Sequence, residues 1–194
     1  MPSGPAGPAL DECVFVSADG RTAALATTVD AGGDVIVVQS DDAAVTHVVT
    51  QDDPPHRVEG ATLRASTRGV WFVASGELRR ARPTDTSTTP VDFGLLRAEV
   101  LPDVVMNEWG TRVGAVVRFE RRLDAEGGDR HVFAVEVAGT PLRVTEAPAA
   151  YDLPSSARGP LMAFNPRGDR LAWRRSDRSQ ELLVRRLPPV EPAQ

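Results

Sequence analysis

A single pattern recurs along this chain: a short apolar run, a tight turn closed by glycine, a second strand-like run, and then a polar loop. The turn glycines are Gly20, Gly69, Gly110 and Gly168, spaced by 49, 41 and 58 residues. Glycine suits such a turn because it reaches positive φ without a Cβ clash. Short runs rich in valine between turn signals read as strands, since β-branched side chains fit a pleated surface. A unit this small hides only part of its apolar surface, so successive units must stack on one another.

Four units can be bounded. The first places strands at residues 13–17, 21–29, 35–38 and 43–50, with a turn at Ala18-Asp19-Gly20 and a hairpin loop at 30–34. The second runs through 62–66, Arg68-Gly69, 70–73, Ser75-Gly76 and 77–81. Residues 77–82 would also support a turn and a half of helix before Pro83, but the Ser75-Gly76 hairpin signal favours a strand. The polar, proline-bounded stretch 83–90 reads as a linker. The third unit runs through 104–106, Glu108-Trp109-Gly110, 111–123, 131–137 and 141–145, and its loop at 124–129 echoes the first unit's loop. The fourth takes 161–165, Arg167-Gly168, 170–174 and 181–187. Residues 1–10 and 188–194 are proline-rich tails, which leaves 11–187 as one domain.

The stretch Phe164-Asn165-Pro166-Arg167-Gly168-Asp169-Arg170-Leu171-Ala172-Trp173 resembles the blade motif F-S-P-D-G-K-R-L-A-F of TolB-type and related WD40-like β-propellers. Asn165 stands where serine is usual and Arg167 where aspartate is usual. Residues 16–25 match the same template more loosely, with Ala18 where proline is common. The middle units keep only the turn glycine and its flanking apolar strands. The resemblance implies blade geometry and transfers no activity, because this fold hosts scaffolds, ligand binders and hydrolase accessory domains alike. The expected class is therefore all-β: a small or incomplete β-propeller of about four blades of antiparallel strands, with a β-sandwich as the alternative. Blades run roughly 40–50 residues, which fits the glycine spacing. The last unit stops at its third strand and runs into prolines, which donate no ladder hydrogen bond. An incomplete last blade is expected, finished by a partner, by a second copy or by residues 91–100.

Composition narrows the chemistry. The apolar fraction of 41% supports a core, and with 5% aromatics that core must be aliphatic. All 22 basic residues are arginine, so lysine Schiff-base chemistry is excluded. Cys13 is the single cysteine and cannot form an intrachain disulfide. The N-terminus lacks a signal-peptide pattern and no apolar run approaches a membrane span, so the cytoplasm is expected. Neither a nucleophile elbow, a phosphate-binding loop nor a dinucleotide fingerprint occurs, and no cofactor is implied. His47, His56 and His131 lack metal-ligand spacing, and the Asp-Gly-Gly loops at 30–34 and 124–129 offer too few oxygens for calcium.

Charge is uneven. Residues 1–157 carry −9 and residues 158–194 carry +4. Arg174-Arg175 and Arg185-Arg186 fall on strands that should pair as a hairpin. With Arg167, Arg170 and Arg178 at the turns, they form a candidate cationic patch for an acidic protein surface. Trp173 falls at an apolar blade position and is expected in the core. Nucleic acid is disfavoured, because the chain is acidic overall and aromatic and basic residues are not interleaved. The expected role is a non-enzymatic interaction module or scaffold that binds another protein or a second copy of itself. The alternatives are a carboxylate hydrolase or lyase, and a small-ligand or metal sensor.

Overall fold

The computed structural model describes residues 13–17, 20–28, 34–40, 43–49, 62–66, 69–82, 88–95, 97–119, 129–136, 140–145, 162–174 and 182–190; for 13–15, 25–28, 34–40, 43–49, 102, 129 and 130 it describes the backbone alone. These residues form four antiparallel sheets, each made of consecutive strands. Sheet one holds β1 (Cys13–Val16), β2 (Thr22–Thr28), β3 (Asp34–Ser40) and β4 (Ala43–Val49). Sheet two holds β5 (Arg64–Ser66), β6 (Gly69–Ala74), β7 (Glu77–Ala81) and β8 (Thr89–Pro90). Sheet three holds β9 (Glu99–Met106), β10 (Arg112–Phe119), β11 (Asp129–Glu136) and β12 (Pro141–Arg143). Sheet four has three strands, β13 (Met162–Phe164), β14 (Arg170–Arg174) and β15 (Leu182–Arg186). Among the described strands each sheet holds only consecutive ones with no crossover, whereas a Greek-key sandwich interleaves strands from distant parts of the chain, so these are blades in chain order.

Burial shows how the blades stack. Between blades one and two lie Ala24, Leu63, Val70, Phe72, Ala74 and Ala81. Between two and three lie Trp71, Val73, Leu78, Val104, Val113, Ala115 and Phe133. Between three and four lie Leu101, Val105, Val116, Val132, Met162, Leu171 and Trp173. Neighbouring residues of one strand thus serve opposite interfaces: Val70 and Phe72 face back, Trp71 and Val73 face forward. This two-sided cover explains why β6 is continuously apolar and wholly buried. By contrast β15 alternates between exposed and half-buried residues, because blade four is covered on one face.

The recurring turn is a real structural unit in three of its four occurrences. Gly20, Gly110 and Gly168 each donate N–H to the carbonyl three residues earlier, at 2.9 Å, with φ of 73°, 62° and 73°. The residue that starts each turn also caps it. Ser17 Oγ accepts from Thr22 N, Asn107 Oδ1 from Arg112 N, and Asn165 Oδ1 from Arg170 N. Gly69 has the same spacing from Ser66 but belongs to a different turn, pairing with Ser66 directly at φ 137°.

Residues 77–81 form the strand expected of them. Two expectations need correction. Residues 83–90 are not wholly a linker, because Thr89 and Pro90 pair with Arg80 and Arg79 as the outer strand of blade two. Residues 91–100 do not complete the last blade. Val91, Phe93, Leu95 and Ala98 pack against the core between blades two and three, and Glu99 and Val100 begin β9. The loops 30–33 and 124–128 and His56 lie outside the described residues, and His47 is described by its backbone alone.

Ser75 and Gly76 join β6 to β7 with φ of 50° and 77°. Both central residues are left-handed, as the commonest two-residue hairpin requires. Serine carries a penalty there that asparagine largely escapes. Ser75→Asn is expected to raise stability by up to about 1 kcal/mol, measured as a shift of the urea midpoint at constant slope.

Candidate interaction surface on the last blade

Arginine fastens adjacent blades by reaching backbone carbonyls across their interfaces. Arg64 on blade two donates to Val104 O at 2.7 Å on blade three. Burial pulls its guanidinium below its usual value while nearby Asp103 opposes the shift, yet a guanidinium stays charged at any ordinary pH. Arg112 on blade three is fully buried and donates to Gly168 O at 2.8 Å on blade four and to Glu136 Oε1 at 3.0 Å. Arg185 on blade four donates back to Val144 O. Asn107 adds a bond to Pro166 O at 2.9 Å, so the turns of blades three and four are tied rim to rim.

Against this frame the seven candidate arginines separate. Arg185 lies on the covered side, in a cross-strand row with Leu171. Arg167 is exposed at the turn, with its guanidinium carbon 5.8 Å from the Trp109 ring centroid. This cation–π contact belongs to the rim. Arg170, Arg174 and Arg186 share the outer sheet face. Arg170 stands opposite Arg186, and Arg174 opposite Leu182. Arg175 and Arg178 lie outside the described residues.

Between those arginines the outer face is apolar. Ala163, Ala172 and Val184 form one cross-strand row, and Leu182 stands beside it. Leu182 is 71% exposed and Val184 61%. The matching forward face of blade three, with Val105, Val116 and Val132, is covered by blade four. The edge of the last sheet also differs from its neighbours. Blades two and three end on strands of two and three residues, a common protection of sheet edges, whereas β15 has five. Leu187 still donates to Asp169 O at 2.8 Å, and exposed Pro188 and Pro189 then stop the ladder.

Elsewhere His131 is buried, with Nδ1 2.7 Å from Thr145 Oγ1 and its ring stacked on Phe119. Trp173 is core, as expected. A groove of about 310 Å³ beside β7 is lined by Leu78, Val91, Phe93 and Leu95, with Glu77 and Asp92 as its carboxylates. Glu77 accepts two bonds from Arg79, and Asp92 caps Gly94 N–H. Among the described residues no group of three or more His, Cys, Asp or Glu is placed to hold a metal ion. No helix among them is long and apolar enough to cross a membrane.

No family model and no curated protein matches this chain. Solved structures do match it. TolB from Acinetobacter baumannii superposes with a TM-score of 0.53 at 14% identity, over 95% of this chain and 44% of its own. An oligogalacturonate lyase in complex with manganese gives 0.50 at 11% identity, over 88% and 49% respectively. A puromycin hydrolase gives 0.50 at 13%, over 94% and 30%. All three are β-propeller proteins. The chain spans less than half the length of each. At such identities the likeness establishes the fold, a run of successive β-propeller blades.

Proposed function

We propose that this chain is a non-enzymatic interaction module that binds another protein, in the cytoplasm, through the outer face and edge of its last blade. The observation that carries the reading is the exposure of Leu182 and Val184 on a sheet face whose counterparts elsewhere in the stack are covered. Arg170, Arg174 and Arg186 around that strip favour a partner with carboxylates at the rim of an apolar patch. Apolar centres supply most of the affinity of such contacts, while rim charges set approach and register.

Affinity capture with the intact chain and with a Leu182→Ser/Val184→Ser variant tests this. Both side chains are exposed, so the variant is expected to keep its stability within about 1 kcal/mol, ~0.5 per site. A captured protein should fall at least about tenfold in the variant. Capture that is indifferent to the variant removes the outer face from the role.

A further inference from the structure

We infer that the turn tips of blades three and four form a second binding surface, where Trp109 and Arg167 together receive an extended segment of a partner protein that carries an apolar side chain beside a carboxylate. This surface is separate from the outer face of blade four and stands on other observations.

The two tips are built alike. Asn107-Glu108-Trp109-Gly110 and Asn165-Pro166-Arg167-Gly168 each close with the glycine N–H on the asparagine carbonyl at 2.9 Å. Each asparagine Oδ1 then accepts an N–H from the following strand, at 2.7 Å from Arg112 and 2.9 Å from Arg170. Trp109 and Arg167 therefore hold the same position in neighbouring turns. Three bonds lock the turns together. Asn107 Nδ2 donates to Pro166 O at 2.9 Å, Trp109 N to the same oxygen at 3.3 Å, and Arg112 to Gly168 O at 2.8 Å. The tip backbone is ordered before any partner arrives, which lowers the entropy cost of binding.

Trp109 differs from the other two tryptophans. Trp71 is 0% and Trp173 5% exposed, whereas Trp109 is 46% exposed. Its neighbours on both sides belong to this chain. A Cβ on Gly110 would stand 3.0 Å from Ser66 Cβ on blade two, and Pro166 closes the side of blade four. The ring is open to solvent on a rim whose flanks are already filled. Tryptophan and arginine are among the residues that most often dominate the energy of protein contacts.

The charges around the ring select the occupant. Arg167 reaches back over Trp109, with its guanidinium carbon 5.8 Å from the ring centroid. Among the described residues it makes no ion pair. Its planar fork matches one carboxylate with two parallel bonds. Exposed Glu108 and the Asp169 carboxylate stand at the same tips. A nucleic-acid strand would meet both of these like charges. The N–H groups of Trp109, Gly110, Thr111 and Gly168 are bonded within and between the tips, and Pro166 has none, so they are not directed at an outside phosphate. A single carboxylate with an apolar neighbour satisfies the site. The ring covers the apolar group, the guanidinium holds the charge, and Glu108 repels longer runs of acid.

Selection of a displayed library of random linear peptides on the full chain tests this. The recovered peptides are expected to place Asp or Glu next to, or one residue from, Leu, Pro or an aromatic residue. Resynthesised, they should bind at least about tenfold more weakly to Trp109→Ala and to Arg167→Ala. Selection on Arg167→Glu should turn the preference from Asp and Glu to Lys and Arg. Both sites are exposed, so unchanged urea midpoints will show that the variants are folded. The charge reversal carries the test should Trp109→Ala unfold. Peptides that lack the acidic position, or that bind both alanine variants as well as the unaltered chain, overturn the inference, and so does an empty selection. Oligothymidylate that binds the chain and is lost in both alanine variants overturns it in favour of a single-stranded nucleic acid. Peptides that ignore both tip variants but are lost in Leu182→Ser/Val184→Ser belong to the outer face; the inference then falls and the proposed function stands.

Discussion

Alanine at position 69 is expected to destabilise the protein by roughly 3 kcal/mol or more, while alanine at position 20 costs only about 1 kcal/mol. Both glycines have positive φ and recur at the unit spacing, Gly20 within its turn and Gly69 as the first residue of β6. The difference is space. A Cβ on Gly69 would stand 2.4 Å from the carbonyl oxygen of Ala81, whereas one on Gly20 would meet nothing within 4 Å. Relief would require β6 and β7 to separate. β6 carries Phe72 into one interface and Trp71 into the other, so any shift loosens two cores together. Urea unfolding of the two variants under identical conditions measures the gap directly. Equal losses would mean that the strands part without resistance, and the account of blade two as a clamped layer would fail.

Removing the Arg112 side chain is expected to cost about 3 kcal/mol. It is the largest polar side chain among those fully buried. Arg112→Ala leaves Gly168 O without its donor and opens a cavity at the junction of blades three and four. Arg112→Met restores volume without the bonds, so its smaller loss separates cavity from hydrogen bonding. Glu136→Gln should cost under about 1 kcal/mol, since that carboxylate is 36% exposed and readily rehydrated. The distinctive readout is local. Amide exchange in β13–β15 should accelerate more than in β5–β7, because the lost tie holds blade four to the stack. A uniform acceleration would show that Arg112 stabilises the molecule without serving that junction.

The sequence makes the blades legible because each strand pair carries its own turn signal. Residues 77–81 could be assigned to a strand from the preceding Ser75-Gly76 hairpin. Other features depend on which residues come to pair. Gly69 keeps the spacing of the other turn glycines, yet only its pairing with Ser66 on β5 reveals its separate geometry. β9 starts at Glu99, five residues before the valine pair that marks it in the sequence, because pairing with Arg118 extends it. The arginines show the same limit. Alternation says that Arg185 and Arg186 point to opposite faces; which one turns inward depends on where blade three lies. Arg64 and Arg112 could have been noticed as lone charges within apolar runs, but in a chain so rich in arginine they lacked contrast.

The blade fasteners all end on main-chain oxygen: Val104 O, Gly168 O and Val144 O. Every residue type offers that acceptor, so the receiving side can exchange its side chains without losing the grip. Conservation of a fastener would then be asymmetric, strict at the donor and relaxed at the recipient. A protein assembled this way can diverge blade by blade, which accounts for units that dock alike while sharing little more than a turn.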